Sequence, residues 1–200
     1  IKLHPDAPRP KAGKHAISRA MNVPELLLAL AAQPISEDVR LTMLEGWRLR
    51  DSDAFLAGRG LCAPGAYIEA ASAMQRFKLP FEVEGSDLSG YLFPETYMVP
   101  PGKFDVDGLV QRQIDAFNQR FVVPHRAEID ASKRGLRTLV IMASLLEREE
   151  PKPELRAQVA GVLYNRLDHS MPLGVDATSR FKLDDWNDRA AFLKMLRDLD

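Results

Sequence analysis

One carboxylate, Glu147, stands at the C-terminal end of the most apolar run of the chain, LVIMASLLE. On a helix at about 100° per residue it lies between Val140 and Ala143 and beside Ser144. Small neighbours leave room for a ligand. An apolar surround penalises the charged form of a carboxyl group and raises its pKa. A carboxyl group tuned in that way can donate a proton near neutral pH and then take one back. The same pattern also reads as a core helix whose last turn is solvated. Glu149 and Glu150 are weaker candidates, because EREEP resembles a charged exit from the core.

Acid–base cleavage of sugars often uses a second carboxylate. Glu95 and Asp176 are the candidates, each in an irregular segment bearing glycine or proline. Each reads equally as a capping or turn carboxylate. In GYLFPETY, the rings of Tyr91, Phe93 and Tyr97 alternate, so an extended chain places them on one face. That face suits stacking on a sugar ring or packing of a long loop into the core. Asn165, followed by Arg166, could bond an acetamido group or cap a local turn.

Other chemistries find little support. The 200 residues carry a formal net charge of -1 and are 46% hydrophobic, which argues for a folded chain and against nucleic acid as a partner. Cys62 is the single cysteine, and His4, His15, His125 and His169 are scattered, so no metal site is expected. Neither a phosphate-cradling glycine loop nor a nucleophile elbow occurs.

The elements that must position these groups are mostly helices. Residues 1–13 read as a proline-bearing arm, and KHAIS (14–18) as a short strand. Asn22, Pro24 and Glu25 mark a helix start, and a strand is expected from Val39 to Met43. Helices follow in RLRDSDAFLAGRG, more weakly in PGAYIEAASAMQRFKL, and then in FDVDGLVQRQIDAFNQRFV, GLRTLVIMASLLEREE and PELRAQVAGVLYNRLDH. The stretch SDLSGYLFPETYMVPPG is not helical, since Pro94 holds Phe93 out of helical geometry. MPLGVDATSRF reads as a loop or short β-segment, and the chain from Asp184 as helix. The fold class is α+β: a small N-terminal α/β module over 1–45 and a mainly helical domain over 46–200, with an irregular central segment.

Five segments, in order, resemble one family: LTMLEGWRLRD (41–51), LSGYLFPETY (88–97), IMASLLEREE (141–150), VAGVLYNRL (159–167) and MPLGVDAT (171–178). The sequence is similar to the membrane-anchored endolytic murein transglycosylases, the YceG-like or MltG family, over about residues 12–180. The family segment ASIVEKET corresponds to ASLLEREE, which implies a catalytic role for Glu147 next to Ser144. EGYLFPDTY corresponds to SGYLFPETY and carries over Gly90, Tyr91, Phe93, Pro94, Thr96 and Tyr97, with Glu95 at an aspartate position. NRL is intact at Asn165, Arg166 and Leu167. LQSDPT reads LGVDAT, keeping Leu173, Asp176 and Thr178, with Gly174 at the glutamine position and Ala177 at the proline position.

The resemblance implies a LysM-like N-terminal module and a catalytic domain shortened at its C-terminus. It also implies a membrane anchor upstream of Ile1, placing the catalytic part outside the bacterial cytoplasmic membrane. It implies cleavage of the bond between N-acetylmuramic acid and N-acetylglucosamine, with closure of a 1,6-anhydro ring. Glu147 would serve as acid and then base, with Asp176 or Glu95 stabilising positive charge at C1. Glycan strands of peptidoglycan and cell-wall synthases are the expected partners, and no cofactor is implied. A muramidase-type hydrolase and a weakly active glycan-binding scaffold are the alternatives.

Overall fold

The structure is a computed structural model that describes residues 8–35, 38–100, 102 and 104–198. The first seven residues of the expected N-terminal arm and the last two of the C-terminal helical stretch lie outside these. The chain forms two compact units, one running to Leu41 and taking in Thr96–Phe104, the other holding the rest.

The first unit contains a helix and a strand pair. Helix α1 (Val23–Ala31) begins in a capping box: Glu25 N donates to Asn22 Oδ1, and Asn22 N to Glu25 Oε2, both at 3.0 Å. Two orphan donors of the first turn are thereby satisfied, and Pro24 falls where its missing N–H costs nothing. Strand β1 (Val39–Thr42) pairs with β2 (Thr96–Val99). Burial alternates along β2, with Tyr97 and Val99 inside and Met98 out. The expected strand over 14–18 does not form. That segment is spent on the end of α1, where the His15 ring meets Ala29 O at 3.0 Å and Ile35 N donates to Lys14 O at 2.7 Å. The partner of β1 comes instead from more than fifty residues downstream.

The second unit is helical. It comprises α2 (Leu49–Gly58), α3 (Ala66–Ser72), α4 (Val106–Phe117), α5 (Arg126–Ser132), α6 (Gly135–Glu149), α7 (Pro153–Asp168), α8 (Asp176–Arg180) and α9 (Arg189–Arg197). The sequence spacing puts Leu109, Val110, Ile114, Phe117 and Phe121 on one side of α4; the first four are buried, whereas Phe121 is half-buried in a π-helical turn over Asn118–Val122 that continues the helix. Buried Asp53 of α2 starts α3, accepting from Gly65 N at 2.7 Å and Tyr67 N at 3.0 Å. The loop after α7 turns into α8 rather than a β-segment, because Thr178 Oγ1 and the backbone of Phe181 bond back within a helical turn.

The irregular segment 88–95 is held by backbone bonds to its neighbours. Leu88 N donates to Ala71 O at 3.0 Å, Tyr91 N to Leu88 O at 3.0 Å and Phe93 N to Gln113 O at 3.3 Å. Gly90 (φ +85) lies so close to α6 that a Cβ there would sit 2.6 Å from Val140 Cγ1. Beneath it, the ring of Tyr91 lies 5.8 Å from Phe81 and 5.7 Å, edge-on, from Phe117. A second core joins α6, α7 and α8 through Met142, Leu145, Leu163 and Ala177, with Trp186 packed against it. No helix among the described residues is long and apolar enough to cross a membrane.

Candidate functional site

Helix α6 owes its length to an uninterrupted apolar stripe and ends where Glu150 turns extended before Pro151. Glu147 stands in its last turn and is exposed; it is not enclosed by the apolar surround that its sequence context suggests. The three glutamates of this turn are used differently. Glu149 Oε1 accepts from Ala177 N at 3.3 Å, at the start of α8. Glu150 Oε1 accepts from Lys152 N at 2.8 Å. Among the described residues the Glu147 carboxylate has no hydrogen-bond or ion-pair partner.

Facing Glu147 is the turn around Gly46, in the segment LEGW. Gly46 has φ +71, and a Cβ there would lie 3.0 Å from Arg148 Nη2 and 3.8 Å from Glu147 Oε2. Bare backbone therefore adjoins the carboxylate. Arg148 donates to Gly46 O, and its guanidinium lies over Trp186 at 4.4 Å. The segment 181–184 is gripped by Arg48, which donates to the carbonyls of Phe181 (3.2 Å), Leu183 (2.6 Å) and Asp184 (3.0 Å). Arg48 is fixed by a two-pronged pair with Asp51, at 2.9 Å on each prong. That hydrogen-bonded pair holds the Asp51 carboxyl below the usual carboxylate range and lifts the Arg48 guanidinium.

The remaining expected site residues fall into groups. Asp176 opens α8 with an exposed carboxylate, and the bond from Ala177 to Glu149 ties it to the same end of α6 as Glu147. Thr178 is exposed on α8, and its hydroxyl donates to Val175 O at 2.8 Å. Ser144, one turn before Glu147, is exposed and donates to Ile141 O at 2.7 Å. Glu95 is tied by its backbone to Met43 (3.0 Å), but its carboxylate is engaged by Arg120 at 2.8 Å. Arg166 reaches back to Leu173 O at 2.6 Å, and Asn165 is exposed near the end of α7.

The aromatics of the central segment divide. Tyr91 is fully buried and presents no surface to a ligand, so it fills the core. Tyr97 is also buried, in β2. Phe93 and Thr96 are half-buried. Sequence reasoning missed Gly46, Arg148 and Trp186. The glycine between LE and W was a usable signal for a left-handed turn, whereas the Arg148–Trp186 stack has no local signature.

The YceG-like family model matches residues 1–198. The chain belongs to the YceG-like family. It is 32% identical over 105 residues to the endolytic murein transglycosylase of Bacillus subtilis (strain 168), a match covering 52% of this chain and 29% of the relative. Against the endolytic murein transglycosylase of Streptococcus pneumoniae serotype 2 (strain D39 / NCTC 7466) it is 36% identical over 86 residues, 43% of this chain and 15% of the relative. The matched part thus spans less than a third of these relatives' length. The crystal structure of a yceG-like protein from Listeria monocytogenes has the same fold, with a TM-score of 0.63 at 21% identity, covering 88% of this chain and 62% of that one. This YceG-like chain accordingly combines a small strand pair with a mainly helical domain.

Proposed function

We propose that this YceG-like chain is a lytic transglycosylase acting on the glycan strands of peptidoglycan outside the cytoplasmic membrane, with Glu147 as its acid and base. The observation that carries the reading is the division of labour in the last turn of α6. Glu149 and Glu150 are engaged by backbone N–H groups, while the Glu147 carboxylate is unengaged and faces open backbone at Gly46. A carboxylate with no fixed donor is free to hold a proton, release it and recover another.

In the proposed reaction, protonated Glu147 gives its proton to the oxygen joining N-acetylmuramic acid to N-acetylglucosamine, and the C1–oxygen bond breaks. The Glu147 carboxylate then takes the proton of the muramoyl 6-hydroxyl, whose oxygen bonds to C1. A 1,6-anhydro ring closes, no water is consumed and Glu147 regains its proton. Positive charge at C1 is best met by Asp176, whose carboxylate is unpaired among the described residues, rather than by Glu95, which Arg120 neutralises. The N-terminal unit, read as a LysM-like module, would hold the strand, and cell-wall synthases would supply it.

Digestion of purified peptidoglycan by this chain and by Glu147→Gln, read by mass spectrometry, tests the proposal. Fragments one water lighter than hydrolytic products, formed by the parent alone, are expected. Fragments with reducing ends would instead make the chain a muramidase. Glycan binding that survives Glu147→Gln, with no product from the parent, would make it a scaffold.

A further inference from the structure

We propose that Arg148 and Trp186 act as a latch that positions Glu147, so that the indole, eight residues beyond the last family-like segment, belongs to the functional site. This rests on the role of Glu147 given above. The carbonyls of a helix's last turn lack helical partners, and such turns fray. Here the turn bearing Glu147 is held at three points. Ala177 N bonds the Glu149 side chain at 3.3 Å, Arg156 Nε bonds Glu150 O at 2.9 Å, and Arg148 bonds Gly46 O. The last of these lies beside the Glu147 carboxylate, since both residues approach the same point at Gly46.

Arg148 is exposed, so directional contacts rather than burial must fix it. It has two of them: the Gly46 carbonyl, and the Trp186 ring at 4.4 Å under its guanidinium plane. Trp186 is anchored in turn. Its body packs on the core of Met142, Leu145, Leu163 and Ala177, its carbonyl accepts from Arg180 at 3.2 Å, and Arg48 grips the strap of residues 181–184 that leads into it. Core, indole, guanidinium and Gly46 turn therefore form one continuous chain of contacts ending beside the carboxylate. Arg148 and Trp186 are positioning residues and transfer no proton.

The test compares Arg148→Ala, Trp186→Leu and their double variant, with Arg148→Lys and Trp186→Phe as rescues. Arg134→Ala, which breaks the pair with Asp168 at the opposite end of α6, is the control for stability alone. On glycan strands, each disruptive variant should lower kcat about tenfold to a hundredfold with little change in KM. The double variant should be no worse than the poorer single one, because the two residues act in series. The rescues should recover most of the rate, and the control should lose stability without losing kcat. Hydrogen exchange of residues 143–150 should quicken in Arg148→Ala. An Arg148→Ala enzyme with parental kcat, or losses that multiply fully in the double variant, would overturn the latch. Should the parent release no anhydro product, the proposed reaction fails, and the latch stands or falls on the exchange rates alone.

Discussion

Tyr91→Phe removes a single hydroxyl group from the core beneath the irregular segment. Tyr91 is fully buried, and among the described residues its hydroxyl has no hydrogen-bond partner. Burying an unpaired hydroxyl costs about 1–3 kcal/mol, whereas phenylalanine keeps the ring that meets Phe81 and Phe117. Losing one oxygen also forfeits some packing, so the net gain should be about 1 kcal/mol. In a domain of this size that raises Tm by about 2–4 °C. Thermal and urea unfolding of parent and variant would measure it, and the peptidoglycan digest should be unchanged. A variant less stable than the parent by about 1 kcal/mol would show that the hydroxyl is hydrogen-bonded. Unchanged stability with a large loss of turnover would place that hydroxyl in the site.

Two more predictions concern the scaffold around the site. Asp53→Ala takes the acceptor from the buried N–H of Tyr67 and from the more exposed N–H of Gly65, and should cost about 1–2 kcal/mol in urea unfolding. The Asp51 carboxyl is held below its unfolded value by Arg48, so its contribution is present above the ordinary aspartate range and is lost as pH falls through the lower folded value. Stability measured from neutral pH down into the acid range should therefore fall more steeply for the parent than for Asp51→Asn.

The long helices were legible because each carries an amphipathic or apolar stripe and a local stop: Pro151 after α6, and the capping box before α1. The short ones were not. Helix α5 has seven residues and only one buried side chain, Ile129, so no period could announce it. The strand partner of β1 was illegible for a different reason. Pairing with β2 is a long-range choice, and the nearer candidate over 14–18 is bonded to α1 instead. Glu147 stood out as a candidate because type and place coincide. Its surround was not legible, because side chains at 140 and 143 say which face it shares and nothing of what covers that face.

Two departures from the family pattern, at Gly174 and Ala177, have local counterparts in the structure. Gly174 has φ +63, and a Cβ there would lie 2.9 Å from Arg166 Nη1. The guanidinium occupies that place because it bonds Leu173 O, so a glutamine at 174 would displace Arg166 as well as strain the backbone. At 177 the argument turns on a single hydrogen. A proline nitrogen carries none, whereas Ala177 N–H is the group that engages Glu149. The alanine therefore permits a tie between α8 and the last turn of α6 that a proline would forbid. It also leaves Asp176, one residue earlier, at the end of α6 that bears Glu147. The same tie commits Glu149 to α8, so the alanine at 177 sharpens the contrast between a structural glutamate and the unengaged one two residues before it.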